Sequence, residues 1–170
     1  TVQIICEQLM GRYADDIAST ACRALLYEVH TAPKPGLVDR ENSGAHSDMQ
    51  ETTFFDSSCA LYPYFRQAAL LGAQYGSNSD TFQKLRWKGK QAEQRMRRAT
   101  GGVNTHKGAI FSMGIFCAAT AAASLREGGY SRTRLAEGCA ALCKGLCDDF
   151  VQLDRGLRPP CSYGEHLYCQ

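Results

Sequence analysis

The sequence has no surplus of either charge: 19 Lys and Arg stand against 17 Asp and Glu, a formal net charge of +2. That balance excludes the overall electrostatic footprint of a strong nucleic-acid binder, while leaving room for a local basic patch. It has no long hydrophobic run. The longest mostly apolar stretch, residues 109–123, is interrupted by Ser112, Gly114 and Thr120 and falls short of the roughly 20 residues a membrane-spanning helix needs. No basic-then-apolar stretch opens the chain, so no leader is expected here. Alternating apolar and polar residues, the mark of a half-buried strand, are missing too. No CxxC pair occurs among the nine cysteines, which speaks against the commonest zinc frameworks. Their odd number, and their helical spacing among alanines and leucines, speak against a disulfide framework. Reduced thiols in a cytoplasmic protein are the expectation.

What is present fits one globular unit. The 170 residues, 44% hydrophobic and 21% charged, suit a single domain with a sizeable core. Ile17, Ala21, Leu25 and Val29 fall on one helical stripe, widened by Ala14, Ala18 and Leu26, and the helix should stop near His30 because Pro33 and Pro35 cannot continue it. A second helix is expected from Ser47, with Ser47 as N-cap and Gln50 completing a capping box, running towards Gly72 with a kink at Pro63. A third, capped by Ser79 or Asp80, carries Phe82, Leu85, Ala92 and Met96. A small-residue helix should span about residues 107–125. A last one, capped by Ser131, should reach about Leu153. The fold class is therefore all-α: a compact multi-helix bundle, residues 1–170 as one domain, with two functional loops.

Those loops hold most of the chemistry. The first gathers Lys34, Asp39, Arg40, Glu41, His46 and Asp48 within residues 34–48, stiffened by prolines and bent at glycines. Taken singly, Asp48 could be no more than an acidic partner for a helix N-terminus and His46 a surface residue. The second, GGVNTHKG at residues 101–108, places Gly101, Gly102, Asn104, Thr105, His106 and Lys107 before a helix. In kind it is a phosphate cradle, with backbone N–H groups facing an anion and Lys107 supplying charge. It lacks the strand and the spacing of a P-loop. The alternative is a glycine C-cap on one helix followed by an Asn or Thr N-cap on the next. Cys139, Cys143 and Cys147 share a helix face with leucines and read as core packing rather than a metal site. Residues 84–98 carry seven cations against Glu93, usually the sign of a solvated helix face.

Taken together, EVHTAPKPGLVD at residues 28–39, NSGAHSDM at 42–49, and Glu93 and Met96 followed by ATGGVNTHKGAIF at 99–111 resemble the triphosphoribosyl-dephospho-CoA synthase family. The resemblance runs in order over most of the chain. It implies an all-helical enzyme that joins the ribose 5-triphosphate of ATP to the 2′-hydroxyl of 3′-dephospho-CoA and releases adenine, making a prosthetic-group precursor for citrate lyase or malonate decarboxylase. The implied partners are these two small molecules and, at most, a second copy of the chain as a homodimer, with no membrane and no nucleic acid. The family also carries a later segment containing Arg-Gly-Glu-Ala, which this sequence does not contain.

Breaking an N-glycosidic bond builds positive charge on the sugar, which a carboxylate offsets while an acid–base group manages protons. On that reading His46 is the general base, with His106 its rival. Asp39 and Asp48, then Glu28, are the carboxylates for the sugar, and Asp39 and Asp48 the ligands for the Mg²⁺ that accompanies ATP. Lys34, Gly101, Gly102, Asn104, Thr105, His106 and Lys107 would hold the triphosphate. Two other readings share these residues: an ATP-binding module without catalysis, and a helical nucleic-acid binder using residues 84–98.

Overall fold

The computed structural model describes residues 2–126, 128–146, 151, 153–157, 159, 160, 166 and 169. Among them lie five helices and no strand: α1 (Val2–His30), α2 (Glu51–Tyr75), α3 (Ser79–Ala99), α4 (Lys107–Leu125) and α5 (Arg132–Leu142). The all-α expectation holds. α1 ends where the prolines dictate, and Ala14, Ala18, Ala21, Leu25 and Val29 form its buried stripe.

Three boundaries differ from the sequence-based expectation. α2 starts four residues later than Ser47. Gln50 is extended at φ −143° and ψ 174°, so nothing before it can join the helix, and its N–H donates to the Thr53 hydroxyl at 3.2 Å. α3 is capped by Asn78, whose side chain accepts the Thr81 N–H at 3.0 Å, in place of Ser79 or Asp80; Asn is as good an N-cap as either. Ser131 does cap α5, accepting the Arg134 N–H, but α5 stops at Leu142 rather than Leu153. Gly145 has φ +80°, a left-handed conformation that no continuing helix contains. Cys139 and Cys143 pack against the core; Cys147 lies outside the described residues. α2 continues through Pro63 as one helix.

α2 is the central element, with α1, α3 and α4 all packed on it. Ser57 of α2 meets His106, Tyr64 meets Gly114, and Gly72 meets Ala118. Successive positions on one helix thus meet successive positions on the other, so α2 and α4 run parallel, with their N-terminal ends together. A Cβ at Gly72 would run into the Ala118 carbonyl, so the two backbones touch there. By length and composition α4 alone could cross a membrane, among the described residues, yet half of it is buried inside the protein. Small residues line that buried part: Ala118, Ala119, Ala121, Ala122 and Ala123 are all almost wholly enclosed.

Candidate active site between two loops

Asp39 shapes the first loop. Its side chain is 3% exposed and accepts three backbone N–H groups, from Lys34 and Glu41 at 2.8 Å and Asn42 at 3.0 Å. Those hydrogen bonds, that of Lys34 foremost, hold its carboxyl below the ordinary carboxylate range. Gly44 closes the loop at φ +57°, where a Cβ would lie 2.5 Å from the Leu37 carbonyl oxygen, so no other residue fits. The result aims Lys34 back at α1, where its ammonium donates to the Glu28 carbonyl at 2.8 Å and the Glu28 carboxylate at 2.9 Å. Further along, His46 Nδ1 lies 3.8 Å from the exposed Asp48 carboxylate.

The second loop begins by ending α3. Gly101, at φ +64°, and the 2.6 Å hydrogen bond from the Gly102 N–H to the Arg97 carbonyl make a left-handed C-cap of Schellman type. Both glycines face open space. Arg97 returns to donate to the Gly102 carbonyl at 3.1 Å. The loop is then pinned to α2: the Thr105 hydroxyl donates to Ser57 Oγ at 2.7 Å, and Ser57 Oγ lies 2.7 Å from His106 Nδ1. His106, 6% exposed, occupies the N-cap position of α4 without a side-chain cap. Its own N–H contacts the Met96 sulfur at 3.2 Å, and Phe54 sits edge-on to its ring at 5.1 Å. Burial pushes its pKa down to about 4, against a smaller upward pull from Glu28.

The two loops share a cavity of about 260 Å³. Glu28 and Lys34, His46 and Phe54, and Asn104 and Thr105 all line it, over a floor that includes Val38 and Met49. Of the residues singled out in the sequence, Glu28, Lys34, His46, Asn104 and Thr105 therefore converge. The others sit elsewhere. Asp39 lines a separate shallow polar cleft with Arg40 and Gln50, and Asp48 stands at the solvent edge beside His46. Lys107, 62% exposed, reaches towards Glu93 at 3.7 Å and borders a second cavity beside α3. Among the described residues no three His, Cys, Asp or Glu side chains converge to hold a metal ion.

Sequence reading missed Ser57. Ser57 carried a signal: a small polar residue on the apolar face marked by Phe54, Leu61 and Phe65, wholly buried in the structure. A buried hydroxyl on such a face needs a partner, and here it has two.

Residues 14–166 match the family model described as ATP:dephospho-CoA triphosphoribosyl transferase. A protein of Streptococcus equi subsp. zooepidemicus (strain MGCS10565) named probable 2-(5''-triphosphoribosyl)-3'-dephosphocoenzyme-A synthase is 39% identical over 165 residues, covering 91% of this chain and 56% of its own. One of the same name from Streptococcus pyogenes serotype M49 (strain NZ131) is 40% identical over 167 residues, covering 89% of this chain and 55% of its own. The chain thus spans about half the length of these relatives. No solved structure matches it.

Proposed function

The chain belongs to the ATP:dephospho-CoA triphosphoribosyl transferase family, and we propose that the cavity between its two loops is where the ribose 5-triphosphate of ATP passes to the 2′-hydroxyl of 3′-dephospho-CoA, with release of adenine. The observation that carries this reading is the convergence on one cavity of Glu28, Lys34, His46, Asn104 and Thr105, from segments up to 77 positions apart.

In this reading the bond from the ribose C1′ to N9 of adenine breaks with its electron pair leaving on the base, and a bond from C1′ to the incoming hydroxyl oxygen forms. The hydroxyl proton goes to His46, the departing adenine takes one from water, and His46 returns its own to solvent. Asp48 would steady the imidazolium that His46 becomes, as a carboxylate does in hydrolytic triads. Glu28 faces the positive charge that builds on the sugar, and Lys34, already held by Glu28, offers its ammonium to phosphate oxygens. Asn104 and Thr105, with the open N–H groups at the start of α4, supply neutral donors where the helix end favours an anion.

Asp39 is assigned to shaping the first loop, since three of its acceptor positions are taken by backbone N–H groups. His106, enclosed and tied to Ser57, is assigned to the same supporting work in the second. Mg²⁺ is read as arriving with the ATP substrate, where one or two protein carboxylates suffice to hold it and Asp48, exposed beside His46, is the nearer of the two expected ligands to the cavity. No observation favours the two other readings of the sequence. Within residues 84–98, Lys84 lies over the Tyr75 ring, Lys88 over Trp87 and Arg97 on Glu93, the behaviour of an ordinary helix face.

The test is incubation with ATP, Mg²⁺ and 3′-dephospho-CoA, followed by chromatography for free adenine and for the triphosphoribosylated product. Both should appear in equal amounts and depend on both substrates. Hydrolysis of the triphosphate in their place would overturn the assignment.

A further inference from the structure

The second cavity, also about 260 Å³, is at the lower end of the ~300–1,000 Å³ that encloses a whole small ligand, so it suits one part of a larger molecule. Its walls are apolar: Leu85 and Ile110 with Ile115, and Phe82 and Phe111 set edge to face at 6.2 Å and 87°. Two observations mark it as built to hold something. Tyr64, 4% exposed, lines it, and its hydroxyl has no hydrogen-bond partner among the described residues. Facing this space, the hydroxyl offers a ligand both a donor and an acceptor.

Gly89 is the second. It lies inside α3, where glycine costs roughly 1 kcal/mol relative to alanine, yet a Cβ there would meet only ordinary contacts, with Ile110 and the Tyr64 hydroxyl at 3.5 Å. Gly114 differs, because a Cβ there would collide with the Tyr64 hydroxyl. Packing therefore requires the glycine at 114 but not the one at 89. What Gly89 preserves is empty volume in front of a lone hydroxyl.

We propose that this cavity takes the adenine ring of a nucleotide substrate, with the Tyr64 hydroxyl bonded to a ring nitrogen. The cations at its rim face the phosphates. Lys90 and Lys107 stand there with Glu93, whose carboxylate is shared between Arg97 and Lys107. A flat ring between aromatic and aliphatic walls needs few polar partners, and one hydroxyl can serve it. A flexible amide chain would bring several polar groups into a space with a single partner. Thr105 lines the first cavity and Lys107, two residues on, the second, so a nucleotide with its base here has its remainder beside the loop of the proposed reaction. This inference rests on the transferase reading, in which ATP and 3′-dephospho-CoA both carry adenine.

The test is calorimetric titration of the whole chain and of Gly89→Leu with ATP, 3′-dephospho-CoA, inorganic tripolyphosphate and pantetheine. Gly89→Leu fills the cavity while gaining helix propensity, so its melting temperature should equal or exceed that of the unaltered chain. Binding of one nucleotide should weaken at least tenfold with tripolyphosphate unchanged, and the nucleotide affected identifies which substrate the cavity serves. Tyr64→Phe should weaken the same nucleotide about three- to tenfold. Unchanged affinity for both nucleotides overturns the proposal. So does an equal loss for tripolyphosphate, or a loss for 3′-dephospho-CoA that pantetheine shares. Failure of the transferase reading shows separately, as absence of adenine release from a chain whose nucleotide binding still responds to Gly89→Leu.

Discussion

His106 is where a single residue ties chemistry to stability. Its pKa lies near 4 in the folded chain against about 6.5 when exposed. Above pH 6.5 neither state binds a proton there and its contribution is complete. Below that value the unfolded chain takes up a proton that the folded chain refuses until about pH 4, so stability falls across this window by roughly 3 kcal/mol. Asp15, lowered by Tyr62 and then Arg66, and Asp39 add their losses only at lower pH, as protons reach carboxyls held below their ordinary range. Urea unfolding at several pH values should show the decline from 6.5 to 4, and His106→Gln should flatten it. Ser57→Ala should cost about 1–3 kcal/mol by the same measurement, because it strands the Thr105 hydroxyl and the His106 ring nitrogen together. For turnover, His46→Asn should lower the rate of adenine release about 10²–10⁴-fold, whereas Asp39→Asn should act first through loop order and melting temperature. Near-native turnover with asparagine at 46 would remove the base from its assigned place.

Among the elements, legibility followed the physics of each signal. The end of α1 was plain because two prolines forbid its continuation, and α4 because no proline or glycine pair interrupts residues 107–125. The start of α2 was misread because Ser47 and Gln50 mimic a capping box, while the actual boundary depends on Thr53 taking the Gln50 N–H. Stopping α5 depends on the left-handed Gly145, which looks in sequence like any helix glycine. The glycines at 101 and 102 illustrate the harder problem, since a C-cap and an anion cradle want the same residues. The structure shows the cap plainly, in the Gly102–Arg97 hydrogen bond. At the α2–α4 crossing, Gly72→Ala should destabilise the chain by about 1–3 kcal/mol or more, since a methyl group there must push two helices apart. Thermal unfolding would check it, with Gly89→Ala as the contrasting helix glycine, expected to be neutral or stabilising.

For the whole molecule, the central inference from sequence was that two distant loops cooperate. Glu28, Lys34, His46, Asn104 and Thr105 line one cavity, whereas Lys107, Asp39 and Asp48, which the sequence reading set opposite one another, lie outside it. Periodicity could assign these residues to loops, but only the parallel packing of α2 and α4 decides which loop residues face one another. Because the cavity joins the end of α1, the start of α2 and both loops, a nucleotide bound there should stabilise the chain as a unit. ATP at about 100 times its Kd should add roughly 2.7 kcal/mol, visible as a raised melting temperature. No shift at saturating nucleotide would count against the site.

The contact between Gly72 and Ala118 has no side-chain cushion, and it lies some 20 Å along α2 from Ser57 at the helical rise of about 1.5 Å per residue. It is the fixed point of a pair of long arms whose other ends border the cavity of the proposed reaction. A one-methyl shim there is therefore magnified at the tips, and its signature should be slower chemistry at temperatures where the chain is still fully folded.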